Sequence, residues 1–62
     1  MKLEDVILTE SEAARRLGVS VSGLRKWRRE QTGPQFIRIG RLIRYSLDDL
    51  QGWLELRKEN VR

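Results

Sequence analysis

The chain has 62 residues and a mass of 7.3 kDa, which suffices for one small domain and leaves no room for a second core. It contains no Cys and no His, which excludes disulfide frameworks, Cys/His zinc sites and thiol or imidazole catalysts, so we expect no metal and no cofactor. The longest aliphatic run, residues 6–8, is far too short to span a bilayer, and the acidic start at Glu4 and Asp5 does not resemble a secretory signal. We therefore expect a single soluble, intracellular domain over residues 1–62 with no membrane segment.

The basic charge is concentrated in the middle of the chain. Overall, 13 Lys and Arg residues stand against 9 Asp and Glu, a net charge of +4. Residues 15–44 hold nine of the basic side chains and one acid, a net charge of +8, and the two ends together carry −4. Because a merely solvated surface interleaves its signs, this block indicates a polyanionic partner, with an ordinary charged surface as the alternative.

The first predicted helix covers residues 10–17. Thr9 and Glu12 have the spacing of a capping box, in which each side chain accepts a hydrogen bond from the other residue's amide. An apolar stripe of small residues ends at Leu17, and Gly18 is typical of the left-handed residue that closes a helix.

The second predicted helix covers residues 21–31, with Ser20 as its N-cap. Residues 32–34, Thr-Gly-Pro, end it, because glycine favours the conformation that closes a helix and proline cannot continue the hydrogen-bond ladder. Its apolar stripe faces the core and recurs every three residues: Val21, Leu24 and Trp27. The opposite face is polar and cationic and consists of Ser22, Gly23, Arg25, Lys26, Arg28 and Arg29.

Residues 36–45 alternate as a β-hairpin does, with strands at 36–39 and 43–45. A two-residue turn at 40–41 would mix apolar and charged side chains on both faces. A three-residue loop at 40–42 instead pairs Ile39 with Ile43 and Ile37 with Tyr45, so we predict that register. It places Arg38 and Arg44 nearly opposite each other on the outer face, with Phe36 outward and Tyr45 inward.

The third predicted helix covers residues 47–58, with Ser46 as its N-cap. Asp48 and Asp49 lie in its first turn, where the helix dipole favours negative charge. Leucines and Trp53 form the apolar stripe, so we expect Trp53, like Trp27 on the second helix, to be a core residue.

Together these elements predict a mostly α fold with a small β-hairpin, a winged helix-turn-helix in which the second helix enters the major groove of DNA while the first braces it. On the second helix, Ser20 and Ser22 are expected to contact phosphates, and Gly23 allows close approach of the backbone. Arg25 and Lys26 are the candidates for base edges, since Arg bonds bidentately to guanine O6 and N7. Arg28 and Arg29 are expected to meet phosphate.

The hairpin forms the wing, and its candidate DNA contacts are Arg38, Arg41 and Arg44. We expect them to supply mainly sequence-independent affinity. For Arg15 and Arg16 on the first helix, phosphate contact and simple solvation both stay open.

An ordered set of motifs covers most of the chain. It comprises residues 8–20, 24–27, Pro34, 37–41, 43–50 and 53–54. The set resembles the excisionase-like winged helix-turn-helix proteins, which are related to the DNA-binding domain of the mercury-resistance regulator superfamily. The resemblance implies that the second helix lies in the major groove, that the hairpin lies over an adjacent minor groove, and that there is no catalytic activity.

The resemblance also implies a recombination directionality factor that binds and bends attachment-site DNA for an integrase. Its partners would be double-stranded DNA, an integrase or recombinase, and further copies of itself bound cooperatively on DNA, in the cytoplasm of a bacterium as a nucleoid-associated or phage-encoded protein. The alternatives are a small transcriptional regulator of a phage, plasmid or other mobile element and, less favoured, a protein-interaction adaptor. An enzyme is not expected, because the paired carboxylates Asp48 and Asp49 are accounted for by capping.

Overall fold

The computed structural model describes residues 5–58, and this part of the chain contains three helices and three short strands. The last strand lies in the middle of the antiparallel sheet and pairs with the first strand on one side and the second on the other. In chain order the elements are β1 (Ile7–Thr9), α1 (Glu10–Leu17), α2 (Val21–Glu30), β2 (Ile37–Ile39), β3 (Leu42–Ser46) and α3 (Leu47–Arg57). This architecture confirms the predicted mostly helical winged helix-turn-helix, and the helix limits agree with the sequence to within one residue.

The N-terminus of each helix is held by the capping residue that the sequence predicts. At α1, the Glu12 amide donates to Thr9 Oγ1 at 3.1 Å and the Thr9 amide donates to Glu12 Oε1 at 2.9 Å, which completes the capping box. At α3, Ser46 Oγ accepts from the Asp49 amide at 3.3 Å. The hydrogen bond from the Thr9 amide lowers the pKa of the Glu12 carboxyl below its ordinary value, because it stabilises the ionised form.

The end of α2 differs from the sequence-based prediction. The residue that closes the helix is Gln31, which takes the left-handed conformation with φ of 58°; a side chain makes this conformation costly. Gly33 has another role, because a Cβ at this position would lie 2.8 Å from Trp27 Cβ. Glycine is therefore needed at 33 for the loop to pass close to Trp27, and the buried Pro34 follows it.

The predicted hairpin register is wrong. Ile39 pairs with Leu42, Arg38 with Ile43, and Ile37 with Arg44, so the hairpin has the two-residue turn at 40–41. Gly40 has φ of 61°, and glycine at the first central position is the requirement of type II′ turns, which match the twist of paired strands.

The reason for the error is that the outer face of the sheet carries aliphatic side chains. Because side chains alternate along a strand, the observed register groups Ile37, Ile39, Leu42 and Arg44 on one face. Ile39 and Leu42 are 54% and 52% exposed. The prediction assumed that every aliphatic residue of the hairpin is buried, whereas the core covers only the opposite face of the sheet, which carries Ile43 and Tyr45.

The other face of the sheet forms the floor of the core. Strand β1, which the sequence analysis did not predict, pairs Leu8 with Tyr45, and its three residues are too few for a period-2 pattern. The buried hydrophobic side chains come from the three helices and from β1 and β3: Leu8, Ala13, Ala14, Leu24, Ile43, Tyr45 and Leu50. The inward position predicted for Tyr45 is therefore confirmed.

The aromatic residues extend this core at one end. Trp27 packs against the buried cluster and its ring centroid lies 5.3 Å from that of Trp53, with the rings tilted by 42°. The Arg57 guanidinium lies 4.4 Å from the centroid of Trp53. Phe36, predicted to point outward, is half-buried and also packs against the core, so that prediction is wrong.

Candidate nucleic-acid interface

The turn between α1 and α2 fixes the exposed face of α2. Gly18 closes α1 with φ of 73°, and the Val19 amide donates to the Ala14 carbonyl at 3.0 Å, so only three residues lie between the end of α1 and the start of α2. Leu24 is fully buried on the inner side of α2. Five of the predicted contact residues are exposed on or beside the outer side: Ser20, Ser22, Arg25, Lys26 and Arg29.

At the start of α2, Ser20 and Gly23 form one local unit. The Gly23 amide donates to Ser20 Oγ at 2.9 Å, which leaves the Ser20 O–H free to donate to a further acceptor. A Cβ at position 23 would lie 3.2 Å from Ser20 Oγ, a tight contact. Glycine thus gives the capping hydroxyl room, a structural role beside the close backbone approach that the sequence predicts.

Arg28 differs from the other cations of α2, because its side chain is only 20% exposed. Its Nη2 lies 3.4 Å from Glu10 Oε2, and its guanidinium lies 5.6 Å from the centre of the Phe36 ring. The sequence places Arg28 on the face of α2 that is turned toward solvent or a ligand, and this placement is wrong because most of the side chain is covered; a phosphate contact of Arg28 stays a prediction. The Arg28 side chain ties α2 to the first residue of α1 and to the loop that leads into the wing.

Arg25 is also paired with Glu10 but stays half-exposed. Its Nε donates to Glu10 Oε1 at 3.3 Å and its Nη2 lies 3.3 Å from the same oxygen. The side chain of Arg25 is 53% exposed and that of Glu10 is 17% exposed. A single carboxylate thus holds two arginines of α2, one with each oxygen.

The three wing arginines do not share a face of the hairpin: Arg38 and Arg44 lie on opposite faces, and Arg41 lies in the turn. Arg41 is exposed at the turn, and Arg44 is half-buried with its Nη1 donating to the Ile43 carbonyl at 2.8 Å. In the observed register Arg38 lies on the face opposite to Arg44. The predicted pair of arginines on one outer face is therefore wrong.

Phe36 joins the wing to α2. The guanidinium of Arg38 lies 5.9 Å from the centre of its ring, and Arg28 lies 5.6 Å from the same ring. Arg38 is exposed, so this contact holds an exposed cation of the wing on the side that faces α2. Beneath this contact, burial raises the pKa of the Tyr45 phenol, and the nearby Arg28 opposes the effect.

Arg15 and Arg16 are exposed in the last turn of α1. Positive charge there suits the negative end of the helix dipole. Solvation and phosphate contact thus remain alternatives for both.

Comparison with models of known protein families shows which family the chain belongs to. A family model described as a helix-turn-helix domain matches residues 7–58, nearly the whole chain. The chain belongs to the excisionase-like helix-turn-helix family. No curated protein matches it.

Membership makes the chain a DNA-binding helix-turn-helix protein and confirms the resemblance carried by the sequence motifs. The family is typically non-enzymatic. None of the helices in residues 5–58 has the length and the apolar composition that a transmembrane span requires. Which of its residues touch DNA stays a prediction.

Sequence reasoning missed Glu10 and the true position of Arg28. No local pattern assigns a role to Glu10, because its contacts with α2 are with residues 15 and 18 positions away in sequence. A signal for Arg28 did exist: it follows Leu24 by four residues and Val21 by seven, which places it beside the apolar stripe of α2.

Proposed function

We propose that this helix-turn-helix protein recognises specific sequences of duplex DNA, with α2 in the major groove and the wing on the neighbouring backbone and minor groove. The observation that carries the proposal is the exposed cationic face of α2, with Arg25, Lys26 and Arg29 all turned away from the core. A groove-facing helix needs this combination of a buried apolar back and an exposed donor-rich front.

Different residues of α2 suit different parts of DNA. Arg25 and Lys26 lie near the middle of the exposed face and are proposed to reach base edges. Ser20, Ser22 and Arg29 are proposed to bind phosphates, with the free Ser20 O–H as donor. Arg28 is proposed to act through its neighbours, because its guanidinium is largely covered by Glu10 and Phe36.

In the wing, Arg41 at the turn and Arg38 beside Phe36 are proposed to bind phosphates or the minor groove. Ile39 and Leu42 flank the turn and are half-exposed, which suits contact with the sugars that line a minor groove. Arg44 is proposed as a weaker contact, because its Nη1 already donates to a carbonyl, and Arg15 and Arg16 are proposed to lie at the edge of the interface.

We further propose the excisionase role for this protein: several copies bind and bend attachment-site DNA, and an integrase is then directed toward excision. Family membership supports this role. The size of the domain supports the use of several copies, because specific DNA interfaces of single small modules bury only about 600–1,000 Å².

The first experiment measures duplex binding by gel shift across a salt series. With about five phosphate contacts, the logarithm of the binding constant should fall against the logarithm of salt with a slope near −4.5. Lys26→Ala should weaken binding, and the matched control Lys58→Ala, which removes the same charge from the exposed end of α3, should not. Absence of a shift at low salt, or a slope near zero, would contradict DNA binding by this surface.

The second experiment tests the excisionase role on a plasmid carrying attachment sites, with the integrase encoded nearest to this protein's gene. The protein should increase excision and decrease integration, and circular-permutation gels should show a bend. DNA binding that represses a promoter without affecting excision would instead support a transcriptional regulator. An adaptor would be supported by a different result: the wild-type protein retains a protein partner, the Lys26→Ala variant loses it, and neither of them binds DNA.

A further inference from the structure

The Glu10 carboxylate occupies an unusual position for an acid, at the edge of the cationic face of α2. Its Oε1 accepts a hydrogen bond from Nε of Arg25 and forms an ion pair with Nη2 of the same side chain. Its Oε2 forms an ion pair with Nη2 of Arg28. An acid beside a DNA-facing surface repels phosphate, so its presence weakens binding to any sequence unless it improves something else.

The geometry of the Arg25 pair leaves one edge of the guanidinium free. Glu10 engages the Nε side through Nε and Nη2, and a guanidinium carries five N–H donors. The Nη1 group and the second hydrogen of Nη2 are left on the other edge, and two adjacent guanidinium donors of this kind can bond bidentately to guanine O6 and N7. Arg25 is 53% exposed, so this edge is accessible.

The carboxylate is itself held in place. Arg28 binds its second oxygen, and the guanidinium of Arg28 lies against the Phe36 ring. The Glu10 side chain is only 17% exposed, which restricts its rotamers. The contacts therefore run from Phe36 through Arg28 and Glu10 to Arg25, from the loop that leads into the wing to the exposed face of α2.

We propose that Glu10 is a positioning residue that sets the base specificity of Arg25. The inference rests on the proposed binding of duplex DNA by α2. Glu10 holds the guanidinium in the orientation that reads a base, so that less side-chain entropy is lost on binding. Its charge also repels phosphates when Arg25 makes no base contact, which lowers binding to other sequences.

The clamp is tested first without DNA, by 15N NMR of the arginine Nε–H groups. In the wild type, the Nε–H of Arg25 should exchange slowly with water and show an ordered signal. Both features should be lost in Glu10→Ala and weakened in Glu10→Gln, which keeps the shape of the side chain but not its charge. An Arg25 signal that is equally mobile in the wild type and in Glu10→Ala would overturn the clamp.

Specificity is then measured by selecting bound duplexes from a random-sequence library and sequencing them. Arg25→Ala should lose the preference at one or two base pairs by roughly tenfold or more, and Glu10→Ala should lose preference at the same positions by about threefold to tenfold. Glu10→Ala should also bind unselected duplexes about two- to fivefold more tightly, because a negative charge is removed. The matched control Glu30→Ala, an exposed acid at the end of α2, should leave the base preferences unchanged.

A double variant separates positioning from charge. In the Arg25→Ala background, Glu10→Ala should change affinity for all sequences equally and leave base preference unaltered. The proposal is overturned if Glu10→Ala keeps the wild-type preferences, or if the wild type selects no preferred sequence. Should the wild type not bind duplexes at all while the Arg25 signal is ordered, the proposed function fails and the clamp alone stands.

Discussion

Arg28 and Arg29 are neighbours in sequence with opposite surroundings, so their alanine variants test the structure directly. The side chain of Arg28 is 20% exposed, with Glu10 Oε2 at 3.4 Å and the Phe36 ring at 5.6 Å, and Arg29 is exposed. We expect Arg28→Ala to destabilise the fold with little direct effect on phosphate contacts. Arg29→Ala should weaken DNA binding with little effect on the fold.

The size of the Arg28 effect follows from three contributions. The long, partly exposed ion pair with Glu10 is worth about 0.5 kcal/mol, and the contact with Phe36 is worth about 0.5–1 kcal/mol. Burial of part of the side-chain methylenes adds about 1 kcal/mol. Arg28→Ala should therefore lower the free energy of unfolding by about 2 kcal/mol, which corresponds to a fall in Tm of about 10 °C for a domain of this size.

Arg29→Ala should change stability by no more than about 0.5 kcal/mol, since Ala is an excellent helix former and the site is exposed. It should reduce the salt slope of DNA binding by about one unit, as the loss of one phosphate contact does. The assays are urea unfolding followed by tryptophan fluorescence and gel shifts across a salt series.

Arg28→Lys is the charge-retaining control. A lysine keeps the positive charge but cannot spread a flat guanidinium on Phe36 while it reaches Glu10, so it should still lose about 1 kcal/mol. Equal, small losses of stability in Arg28→Ala and Arg29→Ala, with the same drop in salt slope, would refute the distinction between them.

Three further predictions test the C-terminal cap of α2, the N-terminal capping box of α1 and the wing. Gln31→Gly should raise the free energy of unfolding by about 0.5–1 kcal/mol in urea titrations, because residue 31 has φ of 58° and glycine adopts this conformation without a Cβ clash; a loss of stability would show that the Gln31 side chain contributes more than its backbone costs. The lowered pKa of Glu12 means that its contribution to stability is present above the ordinary glutamate pKa and is lost as pH falls through the lowered folded value. The difference in Tm between wild type and Glu12→Gln should therefore shrink as pH decreases through the ordinary glutamate pKa and further below it, and a constant difference would contradict the capping assignment. Arg41→Ala should reduce affinity about equally on all duplexes and lower the salt slope by about one unit, whereas a loss confined to A·T-rich duplexes would indicate that the wing reads minor-groove shape.

The helices were predictable from sequence because their signals are local. The capping box of Thr9 and Glu12 and the serine caps at 20 and 46 act within three residues, so no knowledge of the rest of the chain is needed to place them. The same holds for the exposed cations Arg25, Lys26 and Arg29, because helical periodicity places them opposite Leu24.

The hairpin register was not predictable in the same way. The predicted and observed registers differ by one residue in the loop. A shift of one residue moves every side chain of one strand to the opposite face of the sheet. The choice depends on β1, which pairs with β3 over residues 7–9 and brings Leu8 beside Tyr45. Once Leu8, Ile43 and Tyr45 fill the core, Ile39 and Leu42 stay outside it.

The sequence by itself thus determined the positions of the three helices, the apolar stripe of each helix and the family to which the chain belongs. The helices follow from capping, periodicity and turn chemistry, whose range is a few residues, whereas the family is indicated by the ordered set of motifs that covers most of the chain. Only the tertiary structure decided which arginines are free. Arg28 and Arg25 are both cations of α2, and they differ because Glu10 and Phe36, distant in sequence, surround the first and leave one edge of the second exposed. Such contacts depend on how α1, α2 and the wing pack together, because a charge is held or released by its three-dimensional neighbours.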